Sequence, residues 1–117
     1  MINEQLTDPK SIVIVGGSND ISKPGGKVLK NLKDGKYKGD IYVTNLKESE
    51  VQGISCYKDV NELPDVELAI VAIKSIYIPE TIKILTKKKN TRAFIILSAG
   101  FSYFFRILFF LVEKFNT

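Results

Sequence analysis

The apolar positions of this chain fall into short blocks separated by polar, glycine-containing stretches. Ser11-Ile12-Val13-Ile14-Val15 is a continuous β-branched run that stops at Gly16-Gly17. Apolar on both faces, it reads as a parallel strand buried inside a sheet. The polar segment Ser18-Asn19-Asp20-Ile21-Ser22-Lys23-Pro24-Gly25-Gly26 follows as a loop. Val28, Leu29 and Leu32 then share one helical face, predicting a helix over 26–33 with Gly35 as its stop. Residues 39–44 read as a second strand, 45–53 as a charged loop, and 59–63 as one helical turn before Pro64. Glu67 to Ile73 gives another buried strand. Pro79 suits the first turn of a helix running to about residue 88, with Ile82 and Leu85 inward and Lys87, Lys88 and Lys89 at its negative end. Ala93-Phe94-Ile95-Ile96-Leu97 is the fourth strand, followed by Ser98-Ala99-Gly100.

Strands that alternate with helices predict βαβ units and a parallel sheet with flanking helices, an α/β, Rossmann-like single small domain. Ligands of such sheets bind outside the carboxyl ends of the strands. The loops that matter are therefore 16–26, 44–47, 73–79 and 98–100. Residues 1–102 form the expected domain.

The tail, 103–117, has a different character. Phe101 to Val112 reads FSYFFRILFFLV, and six of the seven phenylalanines lie from Phe101 onward. The run is shorter than the roughly 20 apolar residues that span a bilayer, and Arg106 interrupts it, so no transmembrane segment is expected. A membrane-surface helix would lack a clean polar face. The abrupt change suggests a truncated or out-of-frame C-terminus, with a genuine hydrophobic docking helix as the alternative.

Composition changes this picture only at the margins. The chain has 117 residues and a formal net charge of +4, with its lysines spread along the sequence. That pattern is a solvated surface with a weak preference for anions and does not point to nucleic acid. A single cysteine, Cys56, forbids an internal disulfide and suits a reducing, cytoplasmic setting. There is no histidine, so no imidazole base, His metal ligand or phosphohistidine can come from these residues.

The first strand-loop-helix carries the chemistry. A phosphate needs backbone N–H donors, small residues that let it approach, and a helix N-terminus. Gly16 and Gly17 permit the approach, Ser18 offers a hydroxyl, Lys23 adds charge, and Pro24-Gly25-Gly26 opens the helix. The spacing is neither G-x-G-x-x-G nor G-x-x-x-x-G-K-[ST]. After the second strand stands Thr44-Asn45-Leu46-Lys47, where an NAD-binding domain would offer an acidic residue to the ribose. A lysine at position 47 favours a ligand with an extra phosphate near its ribose. Coenzyme A and NADP both answer to that description.

These segments resemble a family. Asp8-Pro9-Lys10-Ser11-Ile12-Val13-Ile14-Val15-Gly16-Gly17-Ser18, then Lys23-Pro24-Gly25-Gly26-Lys27-Val28-Leu29-Lys30-Asn31-Leu32, are similar to the start of NDP-forming acyl-CoA synthetases. That family includes the ADP-forming acetate–CoA ligases and is related to the succinyl-CoA synthetase α subunit. The similarity continues through 39–45, Glu50-Val51-Gln52-Gly53, Leu63-Pro64, 68–72 and 96–101, covering about residues 6–102. It implies a CoA-binding domain in which Ser18, Asn19, Asp20 and Ile21 wrap the CoA phosphates and Lys47 contacts the nucleotide. Ile73, Lys74, Ser75, Leu97, Ser98 and Ala99 would line the pantetheine path. The family commonly has proline where Leu46 stands, and again near Lys74. Family members also carry a phosphorylated histidine and an ATP-grasp domain, neither of which is encoded here. The resemblance thus implies a CoA-binding part of an acid–CoA ligase, inactive alone, whose partners are further domains or subunits. A free-standing NADP- or NAD-binding redox or sensor module on the same fold is the alternative. No metal site is expected.

Overall fold

The structure, a computed structural model, describes residues 4–99 and 105–111. In chain order its elements are α1 (Glu4–Thr7), β1 (Ser11–Val15), α2 (Pro24–Asp34), β2 (Asp40–Thr44), β3 (Glu50–Val51), β4 (Ile54–Tyr57), β5 (Leu68–Val71), α3 (Ile78–Lys88), β6 (Ala93–Ala99) and β7 (Phe105–Leu111), with 3-10 turns at Val60–Glu62 and Ser75–Tyr77. The strands form one sheet in the order β3-β4-β2-β1-β5-β6-β7. β1 pairs in parallel with β2 on one side and β5 on the other, and the β2–β4 and β5–β6 pairs are also parallel. β3–β4 and β6–β7 are antiparallel.

The β-branched run places β1 at the centre because both of its faces must be covered. Ile12 and Ile14 pack with Leu29 of α2 and with Val43, Ile70 and Leu97. Val13 and Val15 point the other way, to Leu85 of α3 and to Val71, Phe94 and Ile96. Period-2 alternation in one strand thus feeds two cores, and the two helices lie on opposite faces of the sheet. This is the doubly wound, Rossmann-like α/β arrangement. The chain leaves β1 toward β2 and later returns to β5 on its other side. The topological switch point therefore falls between β1 and β5, where ligands of such sheets bind.

Helix α2 begins two residues earlier than its apolar spacing suggests, because Pro24 supplies the φ of a first helical turn. It ends in a Schellman motif: the Tyr37 amide donates to the Leu32 carbonyl at 3.1 Å and the Lys36 amide to the Lys33 carbonyl at 3.1 Å. The left-handed residue of that motif is Lys36, with φ of 56°, while Gly35 keeps right-handed helical geometry. The glycine stop is correct to within one residue. The 3-10 turn at Val60–Glu62 is capped by Asp59, whose carboxylate accepts from the Asn61 amide at 2.5 Å.

Two expectations change. The charged stretch 45–53, read as a loop, contains β3 and turns into β4 through Gln52-Gly53, with φ of 49° and 86°. Positive φ at both central residues makes this a type I′ hairpin. In the Phe-rich tail, residues 105–111 form β7, an antiparallel edge strand on β6, in place of a docking or membrane-surface helix. The rest of the tail, with Gly100 and Phe101, lies outside the described residues. Among the described residues no helix is long and apolar enough to cross a membrane. Cys56 is half-buried on β4, and burial pushes its thiol pKa upward, which marks it as a packing residue.

The α3-side core rests on Phe94, which is fully buried. Phe94→Ala should cost about 3–5 kcal/mol of stability through lost transfer energy and the residual cavity. Urea unfolding followed by circular dichroism measures it, and a cost below about 1 kcal/mol would contradict this packing.

The first turn of α2 sits hard against the end of β1. A Cβ on Gly25 would lie 2.1 Å from the Gly16 carbonyl oxygen, which is backbone and cannot yield cheaply. Gly25→Ala should therefore lower stability by about 1–3 kcal/mol, the usual scale of overpacking, although alanine is the better helix former. A rise in melting temperature would show that the helix start can shift.

Candidate functional site

The carboxyl ends of β1, β2, β5 and β6 lie side by side: Val15 pairs with Thr44 and Val71, and Val71 with Ile96. The loops that leave these strands consequently emerge on one edge of the sheet. All the exposed large apolar side chains among the described residues sit there: Ile21 at 49% exposure, Leu46 at 79%, Ile76 at 77% and Tyr77 at 60%. Exposed Lys23, Lys47 and Lys74 share the same edge. Apolar surface interleaved with cations suits a ligand that is part anion and part organic body.

Gly16 and Gly17 stand first in the loop after β1. Their amides both donate to the Thr44 carbonyl, at 3.2 and 3.1 Å, and the Gly16 amide also reaches the Thr44 hydroxyl at 3.2 Å. The Gly17 carbonyl accepts from Asn45 Nδ2 at 2.9 Å. Gly16 has φ of 89°, and a Cβ there would lie 2.5 Å from the Ala72 carbonyl and 2.8 Å from Ile73 Cγ2. On Gly17 a Cβ would meet Val43 at 2.5 Å. The two glycines thus make room for the chain itself, and they join the ends of β1, β2 and β5.

Beyond them the loop opens. Ser18 Oγ accepts from the Asp20 amide at 2.9 Å. Asp20 Oδ1 in turn accepts from the Ser22 amide at 2.9 Å and the Ser22 hydroxyl at 2.6 Å. These bonds from Ser22 hold the Asp20 carboxyl below its ordinary pKa, and Lys23 adds to the effect. The ionised Asp20 carboxylate therefore braces the loop. Lys23 is the N-cap of α2 and no side chain caps that end. The amides of Ser18, Asn19, Ile21, Gly25 and Gly26 donate to no acceptor among the described residues. An uncapped helix start and neighbouring free amides form the arrangement that holds a phosphate.

The loop after β2 is organised by Asn45, whose Oδ1 accepts from the amides of Lys47 and Glu48 at 2.8 and 2.7 Å. Because Asn45 also holds Gly17, Lys47 is tethered to the first loop through one side chain. Lys58 Nζ supports the turn by donating to the Leu46 carbonyl at 3.3 Å. After β5, Ile73 is half-buried against Gly16, while Lys74 and Ser75 are exposed at the 3-10 turn that leads into α3. Leu97 is buried in the α2-side core, and Ser98 and Ala99 close β6.

Sequence reading passed over Thr44 and Asn45 as site builders, and it passed over Gln52. Gln52 Nε2 donates to the carbonyls of Ser18 and Gly26, each at 2.9 Å, and its backbone amide donates to Asn19 Oδ1 at 2.7 Å. The signal available was the Gln-Gly pair, which marks a turn but not what the turn touches. A shallow open groove of about 570 Å³ lies at the opposite edge, lined by Asp8, Lys10, Tyr37, Lys38 and Asp40. It mixes both charge signs and receives no helix N-terminus, so it lacks the chemistry of the carboxyl edge.

Comparison with known proteins places the chain in a family. The family model described as CoA binding domain matches residues 10–106. Subunit alpha of an ADP-forming acetate–CoA ligase II from Pyrococcus furiosus is 40% identical over 96 residues, 80% of this chain and 20% of that protein. An ADP-forming acetate–CoA ligase from Methanocaldococcus jannaschii is 39% identical over 98 residues, 83% of this chain and 14% of the ligase. Among solved structures, a dinucleotide-forming acetyl-coenzyme A synthetase 1 from Ca. Korarchaeum cryptofilum, in complex with phosphate and ADP, superposes with a TM-score of 0.75 at 32% identity, covering 84% of this chain and 21% of that one. The chain thus spans about a fifth or less of the length of these relatives. The family is one of CoA binding, and the NADP and NAD alternative finds no support in it. The chain belongs to the CoA binding domain family and corresponds to that part of the ADP-forming acetate–CoA ligases.

Proposed function

We propose that this chain binds coenzyme A at the carboxyl edge of its sheet. The observation that carries the reading is the presence of the uncapped α2 start, the free amides of loop 18–26, and Lys23, Lys47 and Lys74 on the one carboxyl edge of the sheet. The CoA phosphates would lie against Ser18 to Ile21 and the first turn of α2, with Lys23 adding charge. Lys47 would meet the 3′-phosphate of the adenosine. Ile73 to Ser75, and the strand end at Leu97 to Ala99, would flank the pantetheine arm. The exposed apolar side chains at positions 21, 46, 76 and 77 would cover its less polar parts. CoA supplies the thiol that acyl transfer needs; the chain's own residues bind and orient it. The single, packed cysteine accords with a cytoplasmic setting.

Isothermal calorimetry should show CoA binding more tightly than 3′-dephospho-CoA. Lys47→Ala should weaken CoA by about 1.5 kcal/mol, roughly tenfold, as for one charge-assisted hydrogen bond, and should leave dephospho-CoA almost unchanged. Equal affinities for the two ligands would take Lys47 out of the site.

We further propose that these residues alone form no acyl-CoA, and that turnover requires further domains or subunits. The route that the family resemblance implies passes a phosphoryl group through a histidine, and the 117 residues contain none. No P-loop spacing is present to bind the donor nucleotide. An assay of ADP or GDP release from acid, CoA and nucleoside triphosphate should give no signal with this polypeptide. Acid-dependent cleavage of nucleotide by it alone would refute the assignment.

A further inference from the structure

Gln52 lies outside the loops that a parallel sheet presents to its ligand, yet it touches the loop 18–26 at three points. The type I′ turn carries it over the start of α2. Its Nε2 uses both hydrogens, one on the Ser18 carbonyl and one on the Gly26 carbonyl, at 2.9 Å each. Two carbonyl acceptors fix the orientation of this amide, because the reversed one would set its oxygen against both. The backbone N–H of Gln52 donates to Asn19 Oδ1 at 2.7 Å, and its carbonyl accepts from Lys33 Nζ on α2.

The consequence follows from the geometry of a peptide. In a planar trans unit the carbonyl and the following N–H point in opposite directions. Holding the Ser18 carbonyl on Gln52 turns the Asn19 N–H away from the hairpin, where it has no acceptor among the described residues. Were the 18–19 peptide to flip, a carbonyl oxygen would replace that donor and would repel an anion. Gln52 also sets the spacing between Ser18 and Gly26, the two ends of the span that a phosphate would occupy.

We propose that Gln52 is a positioning residue: through the Ser18 and Gly26 carbonyls it holds the 18–19 peptide in the orientation that presents the Asn19 N–H to a phosphate. This inference rests on the CoA-binding reading for its ligand but not for its geometry. Gln52→Met keeps the length of the side chain and removes both donors. The test compares the full chain, Gln52→Met and, as a hairpin control, Lys33→Met, which loses only the bond to the Gln52 carbonyl. Two quantities are read: CoA affinity by calorimetry, and the Asn19 amide by ¹H–¹⁵N NMR, with thermal melting to show that each variant is folded. In the parent, CoA should move the Asn19 amide proton downfield. Gln52→Met should weaken CoA about tenfold, the loss expected of one donor to a charged group, and should abolish that shift while the Lys47 amide still responds. It should also alter the Asn19 resonance with no ligand present. Lys33→Met should bind CoA within about twofold of the parent, as expected when only a surface contact is lost. Should the parent bind no CoA, the functional reading falls, and the ligand-free Asn19 resonance still decides the positioning role. An Asn19 amide identical in the parent and Gln52→Met, or unchanged CoA affinity in a parent that binds, overturns the proposal.

Discussion

The carbonyl of Thr44 is the point on which this edge of the molecule turns. By accepting the amides of both Gly16 and Gly17 it draws the end of β1 onto the end of β2. Thr44 is itself buried, at 5% exposure, so these bonds are made away from competing water. Once they form, Gly16 must take a left-handed φ and pass within contact of the Ala72 carbonyl, which brings β5 into the same junction. The three strand ends, and the loops that follow them, are then fixed relative to one another. A side chain on Gly16 would meet backbone on one side and face an unfavourable φ on the other.

The candidate site divides its labour between groups that hold the chain and groups left for a ligand. Thr44, Asn45, Gln52 and the Asp20–Ser22 pair satisfy the loops internally. Left for a ligand are the lysines at 23, 47 and 74, the amides of Ser18, Asn19, Ile21, Gly25 and Gly26, and the bare start of α2. The acidic side chain in the first loop, Asp20, is engaged by Ser22 and stays ionised and exposed beside these donors. The free donors and lysines of this edge suit an anion, although the overall charge of the chain is modest.

Much of the fold was legible because burial on two faces writes a distinctive run. Ser11 to Val15, Glu67 to Ile73 and Ala93 to Leu97 each showed it, and each holds a parallel strand at or near the expected bounds. Pro24 and Pro79 marked helix starts for a local steric reason. The hairpin at 50–57 was not legible: β3 has two residues, too few for any period, and its partner β4 sits beside charged residues. The apolar tail was ambiguous for the opposite reason, since an unbroken apolar run carries no period with which to tell strand from helix. At the site, the residue types and their order were readable, but their duties were not. Gly16 and Gly17 read as openings for a phosphate, whereas their missing side chains admit Ala72, Ile73 and Val43. Such contacts join positions far apart in sequence, and a local motif does not record them.

The same separation in sequence governs when the loop can take its shape. Residues 16–19 and 26 are held by Thr44, Asn45 and Gln52, partners 26 to 34 positions further along the chain. Closing those intervals costs configurational entropy before any bond rewards it. During synthesis, the segment through Gly26 leaves the ribosome long before the residues that will clamp it. It must wait, unclamped, until the β3–β4 hairpin has emerged and docked. Competence to receive a ligand is accordingly a late event in the life of the nascent chain.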